Sequence, residues 1–308
     1  YDVVSIDSPN MAGYASMGVL APLDDLWAKD DFLDLMESSQ KASTFNGKIY
    51  TAPIKESTTL LFYNKKLFAE AKIAEPKSPE EVWTLDQLLD AAIKLTKKDS
   101  KGNILVYGIL PTMYSPNNKS GGMPYTQILW PLFTGGSITN AEYTKADGYF
   151  NSDASKKGIY FFSDLYNKYK VAPTEEIASG FESGKIAMWV THAGMAFTWK
   201  SKFPDFYQDW GAMALPKDIA EASISGSWTL GIGANSTKKA EAFKVIEAIT
   251  GKEGSSYYTK NAAGVPARKS VLEKDGIAFD ARIDKIIQYQ VSKTAQPRPI
   301  TPAYPQLG

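Results

Sequence analysis

Apolar positions along this 308-residue chain recur with two spacings, one typical of helices and the other typical of strands. The clearest helix follows Thr84, which with Gln87 matches the capping-box pattern of a helix N-terminus. The apolar positions behind that box share one helical face and are Leu85, Leu88, Leu89, Ala92 and Leu95. Short apolar runs predict strands at 1–6, 46–51, 58–63, 104–110, 186–190 and 228–232. Because strands alternate with helices along the chain, the pattern predicts an α/β fold.

Further helices are expected at several places along the chain. Their approximate ranges are 11–20, 125–130, 159–169 and 238–250. The helix at 125–130 carries Tyr125, Gln127 and Trp130. Residues 181–185 are expected to end a helix at Gly184, because glycine commonly caps a helix C-terminus.

Composition narrows the class of protein. A chain of this length exceeds the size at which one hydrophobic core usually stops growing, so two lobes are expected. Basic and acidic residues number 34 each, which gives no electrostatic reason to bind nucleic acid or an anionic membrane. There is no cysteine, which excludes disulfides, thiol nucleophiles and cysteine-ligated metals. The many aromatic residues hint at a stacking surface.

The two ends of the chain suggest a fragment. The sequence begins inside a predicted strand, without an initiator methionine or a signal peptide, and stops at Gly308 just after a proline-rich stretch. We therefore expect the chain to be part of a longer protein.

Sequence motifs for catalysis and cofactor binding are incomplete. Gly231-Ile232-Gly233 lacks the third glycine of a dinucleotide fingerprint, and the run from Gly180 to Lys185 is too short for a phosphate loop. His192 is the only histidine and has no nucleophile elbow beside it. We expect no cofactor, no metal and no enzymatic activity. One alternative stays open, because the sequence cannot exclude that two of its 34 acidic residues form the carboxylate pair of a glycan-active hydrolase.

Collinear segments spread over nearly the whole chain resemble the extracellular solute-binding protein family 1, which includes maltose- and maltodextrin-binding proteins. In the first part of the chain they are Tyr1-Asp2-Val3-Val4, Ala12-Gly13-Tyr14, Gly18-Val19-Leu20-Ala21-Pro22-Leu23, Asn46-Gly47-Lys48-Ile49-Tyr50 with Pro53, and Leu61-Phe62-Tyr63-Asn64-Lys65-Lys66-Leu67-Phe68. In the second part they are Phe181-x-x-Gly184-Lys185-x-Ala187-Met188, Gly226-x-Trp228-x-Leu230-Gly231-Ile232, Gly264-Val265-Pro266-Ala267-Arg268 and Arg298-Pro299-x-Thr301-Pro302-x-Tyr304-Pro305. The resemblance also implies an earlier strand and helix and a C-terminal helix, which we expect to lie outside this sequence.

The resemblance implies a periplasmic-binding-protein-like fold of two α/β lobes, with crossover hinge strands and a ligand cleft between the lobes. Carried over to this sequence, lobe one comprises 1–55 and 226–272. Lobe two comprises 56–225 and the apparently truncated closing segment 273–308.

The resemblance also implies a function without chemistry. We expect the extracytoplasmic substrate-binding protein of an ABC transporter, which captures a di- or oligosaccharide by hinge closure and delivers it to permease subunits in the membrane. We expect a monomer in the periplasm, or at the cell surface as a tethered lipoprotein. A pure interaction or sensor module with an unused cleft is a further alternative.

The residues expected to contact ligand follow from the family's motifs and from the chemistry of sugars, whose ring faces stack on aromatics and whose hydroxyls hydrogen-bond to polar groups. They are Asp7, Ser8 and Asn10 after the first strand, Glu56 or Ser57, Tyr125, Gln127, Trp130, His192, Trp228, Arg268 and Tyr304. Trp228 and Trp130 are expected to approach the ligand from opposite lobes. His192 stands near the place where relatives often have an aromatic residue.

Several of these residues have a structural alternative. Trp130 and Tyr125 on an amphipathic helix suit a hydrophobic core equally well, and Trp228 inside a strand is open to the same reading. Asp7, Asn10 and Glu56 also suit turns and helix caps, and Arg268 suits an ion pair.

Overall fold

The computed structural model describes residues 1–117, 125–262, 264–277 and 279–307. The chain divides into two compact units, each assembled from separate segments. Unit 1 comprises Tyr1–Thr58, Ile224–Asp284 and Ala295–Gly308, and unit 2 comprises Thr59–Ser223 and Lys285–Thr294. Both units combine helices with strands, so the predicted α/β class in two units is confirmed.

The strands are short, and most of them pair in antiparallel fashion. In chain order they are β1 (Val3–Asp7), β2 (Leu20–Ala21), β3 (Thr44–Phe45), β4 (Lys48–Ile49), β5 (Thr51–Pro53), β6 (Thr59–Asn64), β7 (Lys97–Lys98), β8 (Ile104–Val106), β9 (Met188–His192), β10 (Trp210–Met213), β11 (Ser223–Ser225), β12 (Trp228–Gly233) and β13 (Ala295–Pro297).

The helices range from a single turn to four turns. They are α1 (Met11–Ser16), α2 (Lys29–Leu33), α3 (Glu37–Ser43), α4 (Lys65–Glu70), α5 (Leu85–Leu95), α6 (Leu129–Phe133), α7 (Asp153–Asn167), α8 (Met195–Lys202), α9 (Lys239–Thr250), α10 (Lys252–Asn261), α11 (Lys269–Asp275) and α12 (Asp284–Lys293), with 3₁₀ helices at Ser8–Asn10 and Tyr304–Leu307. Each α-helix in the described residues is too short or too polar to cross a lipid bilayer.

The sheet of unit 1 is built around β12. That strand pairs with β1 on one side and with β2 and β5 on the other, always antiparallel. The register sets Asp7 of β1 opposite Trp228 of β12. Helix α9 packs on the sheet through Phe243 and Ile246, whose helical spacing puts both on one face. In unit 1 the C-terminal end of β1 therefore lies beside the N-terminal end of β12, on a packed core.

The sheet of unit 2 is built around β6, which lies between β9 and β10. All six residues of β6 are buried, as expected for a strand covered on both faces. Phe62 of β6 forms an aromatic cluster with Trp210 of β10 and Trp199 of α8. Helix α5 begins with the predicted capping box, in which the Thr84 hydroxyl accepts from the Gln87 N–H and the Gln87 side chain accepts from the Thr84 N–H.

The predicted helix at 125–130 is wrong in its first half. Helix α6 begins only at Leu129, and Tyr125 and Gln127 precede it. The Gln127 side chain accepts the Tyr125 N–H at 3.1 Å, a local bond that competes with helix formation. Pro131 is tolerated because it falls in the first turn of α6, where its missing N–H has no intrahelical partner.

The predicted helix end at 181–185 is also wrong. Residues 178–184 form successive turns, in which Ser183 and Lys185 donate backbone N–H bonds to Ser179 and Gly180, both at 2.8 Å. Ser179 and Gly184 both have positive φ, +48° and +72°. Left-handed residues this close together prevent a continuous helix.

The closing segment departs from the expected division, which placed all of 273–308 in lobe two. Only Lys285–Thr294 belongs to unit 2, and the chain then returns to unit 1. Gln290 on α12 attaches Lys285–Thr294 to unit 2. Its side chain accepts the Leu215 N–H at 2.9 Å and donates to the Thr59 carbonyl at 2.5 Å. Both of these partners lie in unit 2.

Candidate functional site

The ends of β1 and β12 bring several predicted site residues of unit 1 together. Asp7 is the ladder partner of Trp228, and the next residue, Ser8, donates its N–H to the Ser227 carbonyl at 3.0 Å. Asn10, partly exposed, closes the 3₁₀ turn that follows. The loop after β1 therefore lies directly beside the segment that leads into β12.

Gly226 contacts two more predicted residues, Glu56 and Ser57, and lies close to Ser8. Its N–H donates to Glu56 Oε2 at 2.8 Å, and its carbonyl accepts from Ser57 Oγ at 2.5 Å. A Cβ at this position would lie 2.7 Å from Ser8 Oγ, and φ is +104°. Only glycine adopts this conformation without strain and leaves room for Ser8.

Glu56 is buried, with 2% of its surface exposed. Oε1 accepts from Ser38 Oγ at 3.2 Å and from Ser39 Oγ, while Oε2 accepts from Gly226. Burial raises the pKa of the Glu56 carboxyl, and the hydrogen bonds from Ser39, Gly226 and Ser38 oppose that rise. The expectation that Glu56 contacts ligand is not supported by this structure, because both of its carboxylate oxygens are occupied inside unit 1.

Asp7 is held by an arginine that motif reasoning did not assign to the site. Both terminal nitrogens of Arg298 donate to the Asp7 carboxylate, Nη2 to Oδ1 at 2.6 Å and Nη1 to Oδ2 at 3.1 Å. The guanidinium also lies over the ring of Tyr304, 5.9 Å from its centroid. Tyr304 and Ser8 are buried, which places them behind the surface, whereas a third of the Asp7 side chain is exposed. The Arg298-Pro299 motif was the sequence signal for this residue, although nothing near it in the chain pointed to Asp7.

Trp228 differs from the rest of its strand. It is 54% exposed, whereas the next four residues of β12 are buried. Its carbonyl accepts the Ile54 N–H at 3.1 Å, so the backbone is anchored on both sides of the strand. An indole on a fixed strand beside a partly exposed carboxylate has the chemistry of a sugar-binding surface.

Arg268 does not reach such a surface, and its expected role as a ligand contact is corrected. It is 1% exposed, its Nη1 and Nη2 each donate to Asp31 at 2.8 Å, and its Nε donates to the Thr250 carbonyl at 2.6 Å. Nη1 also lies 3.3 Å from Asp34. Burial tends to raise the pKa of Asp31 and Asp34, but hydrogen bonds and the charge of Arg268 hold both below their ordinary value. Arg268 is thus the centre of an ion-pair network in unit 1.

Trp130 in unit 2 is likewise a core residue, contrary to the expected ligand contact. It is 1% exposed and lies against Phe133, Phe161 and Phe162, with ring centroids 5.4–5.8 Å away. Its Nε1 donates to the Pro111 carbonyl at 3.3 Å. Phe161 and Phe162 of α7 therefore form part of the wall that buries Trp130.

The other predicted residues of unit 2 retain some exposure. Gln127 is exposed and Tyr125 is partly exposed, both just before α6. His192 ends β9, opposite Thr59 of β6, and is also partly exposed. Within the residues that the structure describes, no group of three or more histidine and carboxylate side chains is arranged to hold a metal ion.

The chain is similar to known proteins in both sequence and structure. The sequence model of the bacterial extracellular solute-binding protein family matches residues 1–284. A putative binding protein of Brucella abortus is 23% identical over 283 residues, and the alignment covers 89% of this chain and 64% of that protein. The mannitol-binding protein of Pseudomonas aeruginosa is 26% identical over 295 residues, covering 90% and 59%. This chain thus spans somewhat less than two thirds of the length of these curated relatives.

A solved structure shares the fold. It is an ABC transporter solute-binding protein of Thermotoga lettingae bound with α-D-tagatose, with a TM-score of 0.79 and 25% identity. The match covers 99% of this chain and 76% of that one.

Proposed function

This chain belongs to the family of bacterial extracellular solute-binding proteins, and from that premise we propose that it is the substrate-binding protein of an ABC transporter with a carbohydrate or polyol ligand. The proposal assigns it an extracytoplasmic place, in the periplasm or tethered to the cell surface as a lipoprotein. It acts as a monomer that passes its ligand to permease subunits in the membrane.

The observation that carries the ligand class is the exposed Trp228 beside Asp7. An aromatic face removes the apolar C–H face of a sugar or polyol from water, and a carboxylate accepts hydrogen bonds from its hydroxyls. Mannitol and tagatose, named for two of the similar proteins, are both rich in hydroxyl groups. A small polyhydroxylated ligand therefore suits both the surface and the relatives.

The proposed contacts are those predicted residues that retain exposure. On unit 1 they are Asp7, Asn10, Ser57 and Trp228, and on unit 2 they are Tyr125, Gln127 and His192. Arg298 supports Asp7 from behind. In this proposal the ligand is held by hydrogen bonds and stacking alone, without covalent chemistry.

Isothermal titration calorimetry tests this proposal with a panel of mannitol, tagatose, maltose and a longer maltooligosaccharide. We expect saturable heat with at least one of them, and chromatography should recover that compound unchanged. Trp228→Ala should weaken that binding, and Tyr257→Ala is its matched control, because Tyr257 is an exposed aromatic residue on α10 of the same unit. No binding across the panel would contradict the ligand class, and release of reducing ends would support the hydrolase instead.

A further inference from the structure

We propose that Glu56 is a positioning residue, whose buried carboxylate fixes the backbone at 226–228 and thereby holds Trp228 in the orientation that receives the ligand. This inference rests on the proposed function. It assigns Glu56 a role that differs from a direct ligand contact.

The carboxylate joins separate parts of unit 1. On one side it accepts from Ser38 and Ser39, which belong to the first turn of α3. On the other it accepts from the N–H of Gly226, 170 residues away in the chain. The backbone N–H of Glu56 donates to the Val265 carbonyl at 2.8 Å, which anchors the residue itself. Glu56 therefore connects a helix with the turn that leads into β12.

That turn needs an external support. Gly226 has a positive φ, and a glycine moves between backbone conformations at little steric cost. The hydrogen bond from its N–H to Glu56 Oε2, at 2.8 Å, selects one of these conformations. The bond to Glu56 thus restricts the backbone of Gly226, two residues before Trp228.

The backbone carbonyls of 226–228 are also hydrogen-bonded within unit 1. Those of Gly226, Ser227 and Trp228 accept from Ser57 Oγ, the Ser8 N–H and the Ile54 N–H, at 2.5, 3.0 and 3.1 Å. Two of these three bonds come from Ser57 and Ile54, which flank Glu56 in the chain, and the bond from the Gly226 N–H to Glu56 adds a third contact with 54–57. Trp228 itself stays exposed, so the bonds constrain its backbone and leave the indole face available.

A double-mutant cycle separates positioning from direct contact. Glu56→Ala should lower ligand affinity about tenfold, equivalent to 1.4 kcal/mol. In a Trp228→Ala background the same change should alter affinity less than about twofold, because the group through which Glu56 acts is gone. Glu56→Gln keeps the shape and one of the two acceptor oxygens, so it should restore part of the affinity lost in Glu56→Ala. Glu253→Ala, at an exposed position on α10, is the matched control.

A readout without ligand keeps the test independent of the proposed function. The time-resolved fluorescence anisotropy of Trp228, isolated by subtracting the signal of Trp228→Phe, should show faster local motion in Glu56→Gln and Ser57→Ala than in the parent. Both changes are mild, so the measurement remains possible even if Glu56→Ala fails to fold.

Two results would overturn the inference. One is an equal loss of affinity from Glu56→Ala in both backgrounds, which would indicate action independent of Trp228. The other is a lowered melting temperature in Glu56→Gln with Trp228 motion unchanged, which would reduce Glu56 to a purely structural group. If the parent binds no compound of the panel, the proposed function fails, and the anisotropy still decides the role of Glu56.

Discussion

Trp130 and Trp228 have the same side chain, but their surroundings bury the first and leave the second exposed. Trp130 is a residue of α6 and packs against Phe161 and Phe162 of α7, which exclude water from it. Trp228 opens a strand beside Asp7 and follows the small residues Gly226 and Ser227, so more than half of it stays exposed. The neighbours brought together by folding decide whether an aromatic residue stabilises a core or offers a binding surface.

Two charged residues, Arg268 and Asp7, also differ in how far they are exposed. Arg268 is enclosed, and its guanidinium is shared between Asp31, Asp34 and a backbone carbonyl. Asp7 is held by Arg298 on one side and keeps a third of its side chain in contact with solvent. Enclosed groups should affect the stability of the fold, and partly exposed groups should affect ligand affinity.

The largest expected effect is that of Trp130→Ala. Truncation of a core tryptophan leaves a cavity and should lower the free energy of unfolding by about 3 to 5 kcal/mol. Urea denaturation of the variant beside Trp228→Ala measures it. An equally small loss in both variants would show that Trp130 is not a core residue.

Arg268→Ala should lower the free energy of unfolding by about 3 kcal/mol, the lower end for a broken buried ion pair, because Asp31 is partly exposed. Since the pKa values of Asp31 and Asp34 lie below that of an unfolded carboxylate, this stabilisation is present above about pH 4 and is lost as the pH falls through the lowered values. Urea denaturation between pH 3 and pH 7 should therefore show a difference from the parent that shrinks in acid. Lys252→Ala, on the exposed face of α10, is the control. A loss of ligand affinity in fully folded Arg268→Ala would return this residue to the binding surface.

Trp228→Ala should leave the free energy of unfolding nearly unchanged and weaken ligand binding. A stacked ring that buries on the order of 100 Å² of apolar surface contributes about 2 to 3 kcal/mol. Affinity should therefore fall about 30- to 150-fold, which calorimetry can measure. A large drop in melting temperature with unchanged affinity would instead assign Trp228 to the core.

The smallest expected effect is a change in pH dependence for Glu56→Gln. Burial raises the pKa of Glu56, so the folded state binds a proton more readily than the unfolded chain. The parent's free energy of unfolding should fall as the pH rises from about 4.5 to the raised pKa, with a slope of at most about 1.4 kcal/mol per pH unit from this group. Glutamine cannot ionise, so the stability of Glu56→Gln relative to the parent should increase over the same interval. Parallel stability curves for parent and variant would refute a raised pKa, and Glu253→Gln controls for loss of an exposed carboxylate.

Local sequence was enough to predict those elements whose hydrogen bonds and apolar faces lie within a few residues. The capping box of Thr84 and Gln87 joins residues three apart, and the apolar spacing of α9 is visible in its own twelve residues. Strand β6 was predicted for the same reason, since an uninterrupted apolar run of this length suits a strand covered on both faces. The collinear family motifs were enough to predict the class of fold as well.

Tertiary structure alone decided which of the predicted site residues are buried and which stay exposed. Arg268 meets Asp31 across 237 positions, and Arg298 meets Asp7 across 291, so no local pattern links either pair. Glu56 was recognised as a polar residue near a chain crossing, yet its burial depends on Ser38, Ser39 and Gly226 arriving from elsewhere. Residue type and spacing determine which elements form, because those preferences act over one or two turns of chain. Exposure and pairing depend on which distant segments the folded units bring into contact, and only those contacts distinguish Trp130 in a core from Trp228 on a surface.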